Sequence, residues 1–207
     1  KRQAVTNPER TVFAVKRRID SGKTPGPRLY PSGAMVSQTS GHGDTRLPSE
    51  RSRRFFGTPS KGELLGINFI ADGRDEVLTA TRENLRFGAS QIKLMAGGGA
   101  ATAYDPLDVT QYTLDELRAG VEAAGDWGTY VTVHAYTPRA VRRAVEAGVK
   151  CIDHGQLLDE PTLQLRFSAV EVLRHKDFAA YDDTELRLAQ SLMSQLRFAG
   201  PPRRSYR

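Results

Sequence analysis

Between residues 76 and 154 the sequence switches repeatedly between helical spacing and short apolar runs, and this alternation limits the fold more than any other feature. Residues 76–87 place Val77, Leu78, Thr81 and Leu85 at helical intervals, with Gly88 where a helix-ending glycine belongs. Residues 90–95 form a short apolar run that stops at Gly97-Gly98-Gly99, as a buried strand does. Thr113 and Glu116 make a capping box ahead of Leu114, Leu117, Val121 and Ala124 on one helical face. Residues 129–134 are β-branched and strand-like. Thr137 suits an N-cap and Pro138 a first helical position, leading through Val141, Ala144 and Val145 to Gly148. Residues 149–154 form a further strand, closed by Gly155. Helix and strand in this order predict a parallel α/β sheet with right-handed crossovers.

The flanks are less regular. Residues 1–20 carry a weak helical pattern (Val12, Phe13, Val15, Ile19) ended by Ser21-Gly22 and Pro25-Gly26-Pro27. Residues 28–62 read as a long loop apart from a short strand at 28–31, and a loop that long is usually functional or disordered. Beyond residue 165 the alternation stops. Asp182 and Asp183 can cap a helix carrying Leu186, Ala189, Leu192, Met193 and Leu196, with Gly200-Pro201-Pro202 as its stop. A domain boundary is expected near 165, dividing the chain into residues 1–165 and a helical tail at 166–207.

Composition removes several function classes. With 39% hydrophobic residues among 207, the chain holds enough apolar surface to fold. Its uncharged apolar runs fall far short of the ~20 residues that span a bilayer, so no membrane role is expected. Cys151 is the single cysteine, which excludes a disulfide framework and a multi-thiolate metal cage. The start Lys1-Arg2-Gln3 has no initiator Met or signal core, so a piece of a longer protein is expected, cytoplasmic by default. The net charge of +6 is concentrated at Arg51, Arg53, Arg54 and at Arg203, Arg204, Arg207. Such clusters can meet phosphates, but without interleaved aromatics or a groove-reading helix they read as solvated surface rather than a nucleic-acid site.

Lys93, His134 and His154 fall at the ends of the three expected strands, and the carboxyl ends of parallel strands face the ligand side. A single such histidine is ordinarily a hydrogen-bonded, half-buried residue. Two of the chain's four histidines at equivalent points of successive strands raise the reading of neutral imidazoles holding a borderline metal such as zinc. A lysine within a parallel strand is costly as a cation. It can pair with a nearby carboxylate, or, as a neutral amine, add carbon dioxide and become a carbamate bridging two cations.

The runs Ile92-Lys93-Leu94-Met95-Ala96-Gly97-Gly98-Gly99, His134-Ala135-Tyr136-Thr137-Pro138 and Asp153-His154-Gly155-Gln156-Leu157-Leu158-Asp159-Glu160 resemble metal-dependent amidohydrolases of the imidazolonepropionase-like and Xaa-Pro dipeptidase-like group. Gly26-Pro27-Arg28-Leu29 and Ser40-Gly41-His42-Gly43-Asp44 are similar to that group's third-strand region and following loop. The resemblance covers roughly residues 15–165. It implies a (β/α)₈ TIM barrel, present here in part, that binds one or two metal ions, usually zinc, and hydrolyses amide or cyclic amide bonds of small or dipeptide-like substrates. Carried over, Lys93 is the carboxylated bridging lysine of the fourth strand, and His134 and His154 are metal ligands from the fifth and sixth. His42 and Tyr136 lie near the substrate.

The departures carry equal weight. The family's first strand supplies a His-x-His pair, absent among His42, His134, His154 and His175, and no eighth strand follows to supply its Asp. Strands three to six are expected, too few to close a barrel, so the open sheet edges favour self-association. Residues 172–178, the capped helix and Arg203-Arg204-Ser205 weakly resemble CoxE-like proteins with von Willebrand A domains. Three functions stay open: a segment of a metal-dependent amidohydrolase acting through metal-activated water, a truncated non-catalytic relative, and a basic interaction module.

Overall fold

The computed structural model describes residues 5–6, 11–100 and 104–165. The elements run β1 (Val5–Thr6), α1 (Thr11–Asp20), β2 (Pro31–Gly33), β3 (Met35–Ser37), a 3-10 turn (Arg53–Phe55), α2 (Lys61–Leu64), β4 (Asn68–Ile70), α3 (Arg74–Arg86), β5 (Ile92–Met95), α4 (Leu114–Asp126), β6 (Val131–Ala135), α5 (Pro138–Glu146) and β7 (Cys151–His154). Five strands form one sheet in the order β4-β3-β5-β6-β7, every pair parallel, while β1 and β2 pair separately. Among the described residues, no helix is long and apolar enough to cross a membrane. The helix expected after residue 181 and the resemblance of the tail lie outside the described residues.

The helices begin where their capping chemistry says. The Thr113 side chain accepts the Glu116 amide and Glu116 returns a carboxylate to the Thr113 amide, so both bonds of the capping box form. Glu116 also accepts the Gly73 amide at 2.7 Å, which links the starts of α3 and α4. Thr137 caps α5, and Pro138 opens it without an amide to satisfy. α3 starts two residues earlier than its apolar spacing indicates, because Gly73, at φ +81°, makes the turn out of the preceding loop.

These helices cover one face of the sheet. Val36, Ile92, Leu94, Val131, Val133, Ala135 and Ile152 meet Val77, Ala80, Leu85, Leu117, Ala124, Val141 and Ala144 in a single core. Alanine on the helix side permits close approach, and at Gly120 a Cβ would stand 2.9 Å from Leu94 Cδ1. Strand alternation leaves Lys93, Met95, Thr132, His134 and Asp153 on the opposite face.

Beyond the short strand expected at 28–31, which β2 overlaps at Pro31, residues 28–62 are not the loop that their composition indicates. β2, β3, a 3-10 turn and α2 lie within or at the edges of that stretch, and β4 follows at Asn68–Ile70. The order is also not consecutive, since β3 separates β4 from β5. Strands of three residues are too short for a period of two to show. Their anchor is remote: the Asn84 side chain on α3 donates to the Ala34 carbonyl at 2.8 Å and accepts the Ala34 amide at 2.9 Å. Asn84→Ala leaves both buried backbone groups unpaired and is expected to cost about 2–4 kcal/mol of stability, read as a lower urea midpoint at unchanged slope. A midpoint equal to the parent's would show that this bridge does not hold the β2–β3 corner.

Candidate active site

Register places the chemistry in layers. Lys93 is level with Thr132 and Cys151, and Met95 is level with His134 and Asp153. Lys93 therefore lies one layer below the strand tips rather than at the tip, and its Nζ reaches diagonally to an ion pair with Asp153. The carboxylate-paired lysine is the form present here. His154 is level with Ala135, whose side chain faces the helices. Its backbone φ of +79°, unusual for a residue with a Cβ, redirects its ring towards the opposite face.

The result is a cluster of rings. His42 stacks on His134 with centroids 4.0 Å apart and planes 12° from parallel. His154 meets His134 edge-on at 4.7 Å, and Tyr136 meets it edge-on at 4.9 Å. Tyr136 and His154 stack on each other at 5.1 Å. Four of the five residues singled out from the sequence thus touch, and the fifth, Lys93, shares their face and acts on both strand histidines through its charge.

The glycine run after β5 makes this packing possible. A Cβ on Gly99 would lie 1.9 Å from His42 Cε1, and one on Gly98 would lie 1.9 Å from the Pro106 carbonyl oxygen. His134 Nε2 bonds the Gly98 carbonyl at 2.9 Å. A carbonyl only accepts, so Nε2 carries the proton and Nδ1 is the basic nitrogen. His42 is held by its amide, which donates to Gln111 Oε1 at 2.9 Å, and by its Nδ1, which lies 2.8 Å from Asp105 Oδ2. Sequence reasoning missed Asp153 and Asp105. The first was visible in its motif, two residues beyond Cys151 on the Lys93 face; the second, in an irregular segment 63 residues from His42, gave no sequence signal.

Burial lowers the pKa of His134 from 6.5 to about 4; the Gly98 carbonyl opposes the shift, and His42, His154 and Lys93 add to it. His154 is shifted down as well, by burial first and then by Lys93. Both imidazoles are therefore neutral at pH 7, the form that binds a metal or accepts a proton. In kind, these donors fit a divalent metal. Thr132 Oγ1, buried without a hydrogen-bond partner on the Lys93 layer, leaves polar capacity on the same face. In number they fall short, because among the described residues no three His, Cys, Asp or Glu side chains form a group that could hold a metal ion.

Apart from this cluster, a concavity of about 260 Å³ is lined by Arg46, Arg53, Arg54, Glu63, Asp72 and Glu76 among others. Arg53 pairs with Glu63 at 3.2 Å and Arg54 with Glu76 at 2.6 Å, so part of the first arginine cluster meets acids of the same chain.

The chain is similar to several known proteins. Ochratoxinase of Aspergillus niger is 36% identical over 155 residues, which cover 73% of this chain and 32% of the relative. A prolidase structure complexed with N-methylphosphonate-L-proline is 40% identical with a TM-score of 0.69, covering 80% of this chain and 40% of that one. A Xaa-Pro dipeptidase with bound methionine in its active site is 29% identical with a TM-score of 0.68, covering 80% and 39%. This chain spans about a third of the length of the curated relatives it matches. The parallel sheet and its helices match amidohydrolase TIM barrels over about 80% of the chain, and the family is generally metal-dependent. A model of the amidohydrolase family matches residues 3–190, and the chain belongs to that family.

Proposed function

We propose that the face built by β5, β6 and β7 is one side of a hydrolytic site for carbon–nitrogen bonds of small amides, dipeptide-like or cyclic, with zinc as its metal. The observation that carries this reading is the convergence of His42, His134, Tyr136 and His154 at ring distances of 4.0–5.1 Å above Lys93. The substrate class is supported by the prolidase and the Xaa-Pro dipeptidase among the similar structures.

His134 and His154, with Lys93 once it leaves Asp153 and is carboxylated to a carbamate, would hold the metal, which when bound supplies a Lewis acid and an acidified water. The chain's own residues prepare that site. Burial keeps His134 unprotonated, and the Gly98 carbonyl fixes which of its nitrogens is basic. Asp153 holds Lys93 on the same face. Tyr136 offers a phenol hydroxyl and His42 a ring nitrogen beside the cluster, groups suited to orienting a substrate carbonyl or carboxylate.

The test is turnover of alanyl-L-proline and N-acetyl-L-proline by the zinc-loaded chain. Activity above the buffer rate, removed by a chelator and not regained by Lys93→Met on re-adding zinc, is expected. Absence of turnover on both substrates with zinc bound overturns the reading. A second reading rests on the donor count: two imidazoles without a third grouped ligand retain metal weakly. In that case the chain keeps the site's architecture without its catalysis, and zinc is lost on dialysis.

A further inference from the structure

We infer that Asp105 is a positioning residue for His42, an inference that rests on the hydrolytic reading above. The Asp105 side chain is 1% exposed, and a carboxylate that deep is stable only with committed partners. Its Oδ2 lies 2.8 Å from His42 Nδ1, where a carboxylate can only accept a hydrogen bond from the ring. On its flat side the same imidazole lies parallel to His134 at 4.0 Å. Asp105 is thus connected to a ring of the cluster without entering it.

The segment that carries Asp105 is folded to deliver it. Gly97 and Thr110 form an antiparallel bridge, the Gly98 amide donates to the Val109 carbonyl at 3.1 Å, and the Gln111 amide donates to the Ala96 carbonyl at 2.9 Å. Within this return, the Val109 amide closes a turn onto the Pro106 carbonyl at 3.1 Å. Gln111 then receives the His42 amide through its side chain. One segment therefore grips His42 at the backbone and at the ring, and Gly99 leaves the space the ring occupies.

The consequence is chemical as well as steric. An imidazole in water favours the proton on Nε2; a buried carboxylate at Nδ1 selects the other tautomer and makes Nε2 the acceptor. Asp105 sets both the direction in which His42 points and which nitrogen it can offer to a substrate.

The experiment is a long-range ¹H–¹⁵N correlation of the His42 imidazole in the full chain at pH 8, assigned with His42→Gln. The parent is expected to show the proton on Nδ1. Asp105→Asn keeps the size but can serve either tautomer, so at least a fivefold change in tautomer ratio is expected. It should also bring a 10–100-fold fall in kcat with KM within twofold, the range for outer partners of site residues. A purely structural role would instead lower the melting temperature and leave kcat per folded molecule unchanged. Should Asp105→Asn fail to fold, Gly99→Ala displaces the ring from the other side and is expected to lose the same tautomer. A parent with the proton on Nε2, or a folded Asp105→Asn with an unchanged ratio, overturns the inference. If the parent carries the proton on Nδ1 and has no turnover, the positioning bond stands and the hydrolytic reading fails.

Discussion

His134→Ala is expected to lower kcat/KM for alanyl-L-proline by about 10³-fold, roughly 4 kcal/mol of transition-state stabilisation. The size follows from how much of the cluster passes through this one ring. His134 contacts His42, Tyr136 and His154, and it is the most buried donor among the proposed ligands, at 3% exposed. Removing it deletes a neutral donor, frees the Gly98 carbonyl and leaves His42 without a stacking partner. His154 is exposed and lies at the rim, so His154→Ala is expected to cost less. Steady-state kinetics on the folded variants, confirmed by circular dichroism, check the order. A His134→Ala enzyme within threefold of the parent would mean that this face performs no chemistry.

The metal-free chain should lose stability on mild acidification, and His134 should contribute a separable part of the loss. The folded pKa of about 4 lies below the ordinary 6.5, so the unfolded chain takes up this proton first as pH falls. The contribution is complete above pH 6.5 and disappears as pH drops towards 4. The separation corresponds to about 3 kcal/mol. Urea unfolding in the presence of a chelator at pH 7.5 and pH 4.5 should show the parent losing about that much more than His134→Asn, since the carboxylates titrate alike in both. Equal losses would mean that the ring is charged, or solvated, in the folded state.

Legibility in the sequence followed distance along the chain. α4 and α5 were readable because Thr113, Glu116 and Thr137 act on amides three residues away and Pro138 opens α5 without an amide to satisfy. β5, β6 and β7 were readable as apolar runs ending in glycine or histidine. β2, β3 and β4 were not, because three-residue strands show little period and Asn84, which secures Ala34, lies 50 positions away. The same division runs through the site. Alternation puts Lys93 and His134 on one face, and their motifs drew attention to them. The turn of His154 depends on a left-handed backbone that no local pattern announces, and the Asp105–His42 bond joins two irregular segments. Gly97-Gly98-Gly99 was visible as a run, but the reason for Gly99 exists only once His42 is packed over it.

We propose that imidazoles from separate strands converge on one metal site. Zinc titrated into the full chain while the histidine side-chain resonances are observed tests it most directly. The His134 and His154 signals should shift together, saturate at the same zinc concentration, and cease to respond in Lys93→Met. Signals that respond independently, or not at all up to millimolar zinc, would contradict the account.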